Sequence, residues 1–230
     1  MAISTPIQFK TGSAVASTTI SLTMDSAPTN GNFLHMAIGT LSASDNRVTS
    51  ITQTNVTWTK AKSVANSSIA ESEMWYGIAS ASAGTGITVN LAASLTAHCV
   101  VAEHSGVATT GHPDKTASAT NVGGGAVFSG TTALTSYTIE LWGASLVCAA
   151  SMGTYGGFGD PNPSNGFTRV AQVGDSTLLV ELVYKIVSAR ATAFTSDTWA
   201  ATSDSEICAG TIATFSDPTF TIGRRIMVVS

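Results

Sequence analysis

Four histidines, three cysteines and fourteen acidic residues are the first places to look for chemistry in this chain. The histidines are His35, His98, His104 and His112. His98 and His104 share parity on one strand-like run, but the residues between them span roughly 20 Å of extended chain. They could share a metal ion only through a sharp bend, and the loop or helix spacings of zinc sites are absent. A solvated or hydrogen-bonded imidazole is expected at each. Cys99, Cys148 and Cys208 form no CxxC pair, and each lies in an apolar run. Free buried thiols acting as small hydrophobes are expected; one disulfide with a leftover thiol is the alternative. Glu73 and Glu181 could pass for a glycosidase carboxylate pair. They occupy matching positions of an internal repeat, which explains both without catalysis and gives no reason for one to be acid and the other base.

Other motifs are weaker. No serine sits on a GxSxG elbow beside a base. Gly123-Gly124-Gly125 lacks the Lys-Ser/Thr of a phosphate loop and reads as a bend. Asp160-Pro161-Asn162-Pro163-Ser164-Asn165 offers oxygen ligands without EF-hand spacing, so a turn-rich loop is preferred to a calcium site. The expectation is a protein with no enzymatic activity, catalytic residue, cofactor or metal. The best candidate for a contact surface is the loop that Tyr155 and Phe158 enter among glycines, continuing through Asp160, Asn162 and Asn165. Arg224 and Arg225, beside the apolar run Ile226–Val229, extend that candidate surface to a terminal segment.

The elements that must position these groups are strands. Informative windows alternate with period two and are bounded by Gly, Pro, Asn, Asp and Ser. Strands are expected near 18–24, 32–40, 47–52, 56–64, 71–79, 86–91 and 97–104, then near 131–139, 144–153, 166–173, 177–187, 193–199 and 206–215. Ile7–Lys10 and Ile226–Val229 look like terminal strands. Ser72-Glu73-Met74-Trp75-Tyr76-Gly77-Ile78-Ala79-Ser80 returns as Val180-Glu181-Leu182-Val183-Tyr184-Lys185-Ile186-Val187-Ser188. Trp58-Thr59-Lys60-Ala61 answers Phe167-Thr168-Arg169-Val170, and Cys99 answers Cys208. Met74, Tyr76 and Ile78 keep their apolar character in the second copy, so they should face the core. The fold class is therefore all-β: an antiparallel, jelly-roll-like β-sandwich of two repeated halves, about 12–107 and 128–217, joined near 108–127. One domain over 1–230 is preferred, because each half is poor in large core side chains; two tandem small sandwiches are the alternative.

Composition narrows the setting. Lys, Arg, Asp and Glu make up only 10% of residues, and Ser plus Thr about 27%. A net charge of −4 offers no basic face, so nucleic acid is not an expected partner. No apolar run approaches the roughly 20 residues of a membrane span, and Met1–Pro6 has neither charged n-region nor h-region. The expectation is a protein that stays where it is made or leaves by lysis.

A wider pattern lies in the order Asn30-Gly31-Asn32-Phe33-Leu34, Trp58-Thr59, Glu73-Met74-Trp75-Tyr76, Glu103-His104-Ser105-Gly106-Val107 and Pro113-Asp114-Lys115-Thr116-Ala117-Ser118. Ser129-Gly130-Thr131-Thr132, Gly166-Phe167-Thr168 and Ile212-Ala213-Thr214-Phe215 complete it. This series, spanning roughly residues 12 to 217, resembles a set of largely uncharacterised β-sandwich proteins. They are encoded in tailed bacteriophages and recur as modules in secreted bacterial proteins. The resemblance implies a jelly-roll-like fold and a virion-surface or extracellular setting, and carries over no catalytic residue. Secreted members usually bring a leader and further modules; a chain that reads as one unit from Met1 is expected to be a stand-alone virion protein instead. The functional expectation is a structural virion protein, used for capsid decoration, in a fibre or on the tail. Its partners would be other virion proteins or copies of itself in a homo-oligomer. An extracellular glycan-binding or adhesion module is the alternative, with Tyr155, Phe158 and Trp142 on one patch.

Overall fold

The computed structural model describes residues 2–66, 69–122, 126–149, 163–198 and 207–218. β-branched and aromatic residues in alternation produce strands throughout, and among the described residues there is no α-helix. Sheet A takes β1 (Gln8–Thr23), β2 (Phe33–Leu41), β3 (Val48–Gln53), β4 (Val56–Ala65), β5 (Ala70–Ala79) and β6 (Gly86–His104). Its order is β1-β6-β2-β5-β4, with β3 also paired to β6. Sheet B takes β7 (Thr116–Val122), β9 (Glu140–Ala149), β10 (Thr168–Gly174), β11 (Leu178–Val187) and β13 (Ile207–Ser216). Its order is β10-β11-β9-β13-β7, and β8 (Ala126–Phe128) pairs with β12 (Ser196–Thr198) in a separate ribbon. Every pairing is antiparallel.

The two sheets pack face to face around one core, which makes the molecule a β-sandwich. Phe33, Met74 and Val100 of sheet A meet Leu141, Val180, Leu182 and Phe215 of sheet B. Met74 lies in this core, with Tyr76 and Ile78 packed against it, as alternation requires. Gly39 and Gly143 let the sheets close. A Cβ on Gly39 would run into Val180 and Val147, and one on Gly143 would sit 2.6 Å from His35 Nδ1. The halves do not interleave; each supplies one sheet.

Each sheet also buries its outer face. The beginning of β6, with the far half of β1 and with β3, places Ile20, Leu22, Ile51, Ile87 and Val89 over Leu34, Met36, Ile38 and Trp75. On sheet B, Val127, Phe167 and Ala193 cover Trp142, Leu146, Val183 and Ile212. This second burial explains why β2 and β9 are buried nearly end to end.

Several expectations change. The strands near 86–91 and 97–104 are one strand, β6, and Ile7–Lys10 leads directly into a β1 longer than expected. The connector near 108–127 already contains β7 and the start of β8. Residues 131–139 form only an isolated bridge, Leu134 to Thr192. With Ser129 before them, Thr132 and Thr135 pair reciprocally instead: the backbone N–H of Ser129, Thr132 and Thr135 donates to the carbonyls of Thr195, Ala193 and Ala191 at 3.0, 3.0 and 3.1 Å, and their hydroxyls accept from the N–H of the same partners at 3.0, 2.8 and 3.3 Å. Cys148 and Cys208 form a disulfide, whereas Cys99 is free and buried. The reason is register. Cys208 lies directly opposite Cys148, but the residue opposite Cys99 on β2 is Ile38. The proposed match of Cys99 with Cys208 also slips. Glu73 and Cys99 flank the same residue, Ile38, whereas Glu181 and Cys208 pair with Leu146 and Cys148. The run Ile226–Val229 lies outside the described residues.

Candidate functional site

Matched in chain order, the strands of both sheets run alike: β4-β5-β2-β6-β1 and β10-β11-β9-β13-β7. Both carry a register break at the same place, between Lys60 and Lys62 and between Arg169 and Ala171. A bulge re-aims the side chain beside it. Here it turns a cation onto a buried glutamate of the next strand. Lys60 Nζ lies 2.8 Å from Glu73 Oε2, and Arg169 Nε pairs with Glu181 Oε1 while its Nη2 lies 2.9 Å from Asp197 Oδ2. Glu73 also accepts from the Val48 N–H at 2.9 Å and from Trp75 Nε1 at 2.7 Å. Burial pushes the Glu181 carboxyl up to about 8 against the pull of Arg169. The two glutamates thus sit on the outer faces of different sheets, each anchoring its own neighbours, and do not flank one substrate.

Glu71, two residues before Glu73, accepts from Thr40 Oγ1 at 2.5 Å and from the Arg47 N–H at 2.9 Å. Burial, then the neighbouring Glu73 carboxylate, pushes Glu71 up to about 8. This pair fastens the turn between β2 and β3 from inside the protein, where no substrate reaches it.

Every histidine is held by a neighbour. His104 Nδ1 lies 2.8 Å from the Ser4 carbonyl oxygen, and its Nε2 lies 3.1 Å from His35 Nε2. His98 Nδ1 meets Ser13 Oγ at 2.9 Å, and His112 Nε2 meets the Ala108 carbonyl at 2.6 Å. His112 packs edge-on against Phe33 and Phe215 at one end of the central core. Among the described residues, no three His, Cys, Asp or Glu side chains gather where they could hold a metal ion.

The surface holds more. Tyr155, Phe158, Asp160, Asn162, Arg224 and Arg225 lie outside the described residues. Asn165 is described and exposed, in a left-handed conformation (φ 60°) within a short 3-10 turn, Ser164–Gly166. It borders a groove of about 460 Å³ with Thr131, Trp142, Lys185, Ala191, Thr192 and Phe194. Trp142 is only 3% exposed and forms the floor, so it is not the open platform that a glycan patch required. Its Nε1 donates to Glu140 Oε2 at 2.8 Å, and Lys185 Nζ stands 5.6 Å from the ring centroid. Sequence reasoning missed Lys185 and Phe194. The available signal was Lys185 itself, a cation where the first copy has Gly77.

A second groove, of about 450 Å³, runs along the start of β1, lined by Pro6 to Thr11 and Asp25. Lys10 Nζ and Asp25 Oδ1 close across it at 2.7 Å. No family model, no curated protein and no solved structure matches the chain.

Proposed function

We propose that this protein is a non-enzymatic structural component of a tailed-phage virion, working through contacts with copies of itself or with neighbouring virion proteins. The observation that carries the contact reading is the β1 edge. Among the described residues, β1 is 16 residues long, lies at the end of its sheet and pairs only with β6. Natural sheets blunt such edges with charge, proline, shortness or a bulge, and β1 breaks register only past Ala14. β1 presents Phe9 and Val15 at 47% and 67% exposure, with Ile7 just before it at 53%, and its single charged residue, Lys10, is engaged by Asp25. The run before the register breaks, Gln8 to Ala14, carries one charge, already paired, and leaves an edge that can take a strand from a second chain. The virion assignment itself rests on the sequence resemblance. The disulfide suits a surface that ends in an oxidising medium.

Sedimentation of the wild type beside Phe9→Lys/Val15→Lys tests the edge. Both side chains are exposed, so the variant should melt with the wild type yet sediment as a monomer, whereas the wild type associates. A wild type that stays monomeric at assembly concentrations overturns the edge contact. The glycan-binding reading is favoured by one observation, the groove beside Asn165.

A further inference from the structure

We infer that the groove beside Asn165 binds an acidic saccharide, a pyranose ring carrying a carboxylate; this deepens the glycan-binding reading and rests on it. The groove volume, about 460 Å³, falls within the range of small-ligand sites. Its charge is one-sided. None of its lining residues is acidic, and Lys185 is its only charged member. One N–H of the Lys185 ammonium goes to the Asn165 carbonyl oxygen at 2.6 Å, and an ammonium has three. Among the described residues no carboxylate lies within ion-pair distance of Lys185. The free donors therefore suit an anion.

The rest of the groove distinguishes a sugar acid from a bare anion. Half-buried Phe194 gives an apolar face for the C–H side of a pyranose above the buried Trp142 floor, while exposed Thr131 and Thr192 supply hydroxyls at the rim. The walls are set before any ligand arrives. Phe194 stacks on Phe128, with ring centroids 6.4 Å apart and planes 21° apart. Asn165 Nδ2 donates to the Phe194 carbonyl at 3.2 Å, which leaves Oδ1 to accept from a sugar hydroxyl.

Calorimetric titration with a galacturonic acid oligosaccharide, its neutral galactose counterpart and inorganic phosphate tests this. The wild type should bind the uronide and bind the neutral sugar about tenfold more weakly, the worth of one charge-assisted hydrogen bond. Lys185→Met, which keeps the stem, should lose that tenfold toward the uronide and nothing toward the neutral sugar. Thr192→Val, on the exposed rim, should weaken both and serves as the second variant if Lys185→Met does not melt cooperatively. No binding of the uronide, equal affinity in Lys185→Met, or phosphate matching the uronide would each overturn the inference. None of these outcomes touches the β1 edge, whose test is sedimentation.

Discussion

His35 and His104 show how far the environment can change an ordinary side chain. The Ser4 carbonyl can only accept, so His104 Nδ1 carries a proton and its Nε2 accepts from His35 Nε2–H. His35 Nδ1 is then left without a partner, buried against Gly143. Burial holds His35 well below the usual imidazole range, with His104 adding to the effect, and lowers His104 to about 4. Glu103 and Tyr184 also face His104, the carboxylate opposing that shift. In the unfolded chain both titrate near 6.5. Between pH 6.5 and about 4 the unfolded state binds more protons, so this pair's contribution to stability is full above 6.5 and lost as pH falls. For His104 the loss is about 3 kcal/mol. Proton NMR should show the ring resonances of both residues flat from pH 8 to 5; titration near 6.5 would contradict the buried pair. The sequence left each of these residues as a solvated or hydrogen-bonded imidazole and did not show their pairing, because parity along β6 says nothing about which β2 residue lies opposite.

The strands β4–β5 and β10–β11 carry the best-read part of the chain. The match of Trp58-Thr59-Lys60 with Phe167-Thr168-Arg169 marked two equivalent strands, and both break register beside the same cation. What the sequence withheld was the bulge, and with it the reason Glu73 and Glu181 recur: each is the buried partner of that cation. Replacing Arg169 with Met leaves Glu181 and Asp197 buried without their cation and should cost about 3 kcal/mol in urea unfolding at pH 9, where Glu181 is mostly ionised. The penalty should shrink as the pH falls through about 8 and Glu181 takes up a proton, then level off; a loss independent of pH from 9 to 6 would contradict the assigned pairing. The cysteines were misjudged for a related reason. Composition and apolar surroundings are the same for paired and free thiols, and only the β9–β13 register separates them. The bond closes a loop of 60 residues. Cys148→Ala/Cys208→Ala should lose about 4 kcal/mol on the loop-entropy model, whereas Cys99→Ala removes only a small buried side chain. Equal losses from the two variants would argue against the bond.

The two sheets of the described residues form one sandwich because neither can cover its inner face alone. Phe33 of the first half and Phe215 of the second meet with ring centroids 4.6 Å apart, and the aromatic cluster around them draws on both halves. Alternation and turn residues were enough to find most strands, since they are local. Which sheet each strand joins, the folding of β1 and β6 over the outer face, and the hydroxyl pairing of 129–135 depend on contacts distant in sequence, and no local pattern encodes them. Function is harder still to read. The groove beside Asn165 gathers residues from five separate segments, and the β1 edge becomes notable only once β1 is known to end its sheet. Quantitative mass spectrometry of particles purified from the culture that produces this protein, scaled to the major capsid protein, tests the virion assignment most directly. The account predicts its presence in particles, near capsid-subunit abundance for a lattice component or at a few copies for a tail or fibre. Its absence from particles, with free protein in the medium, would contradict the account.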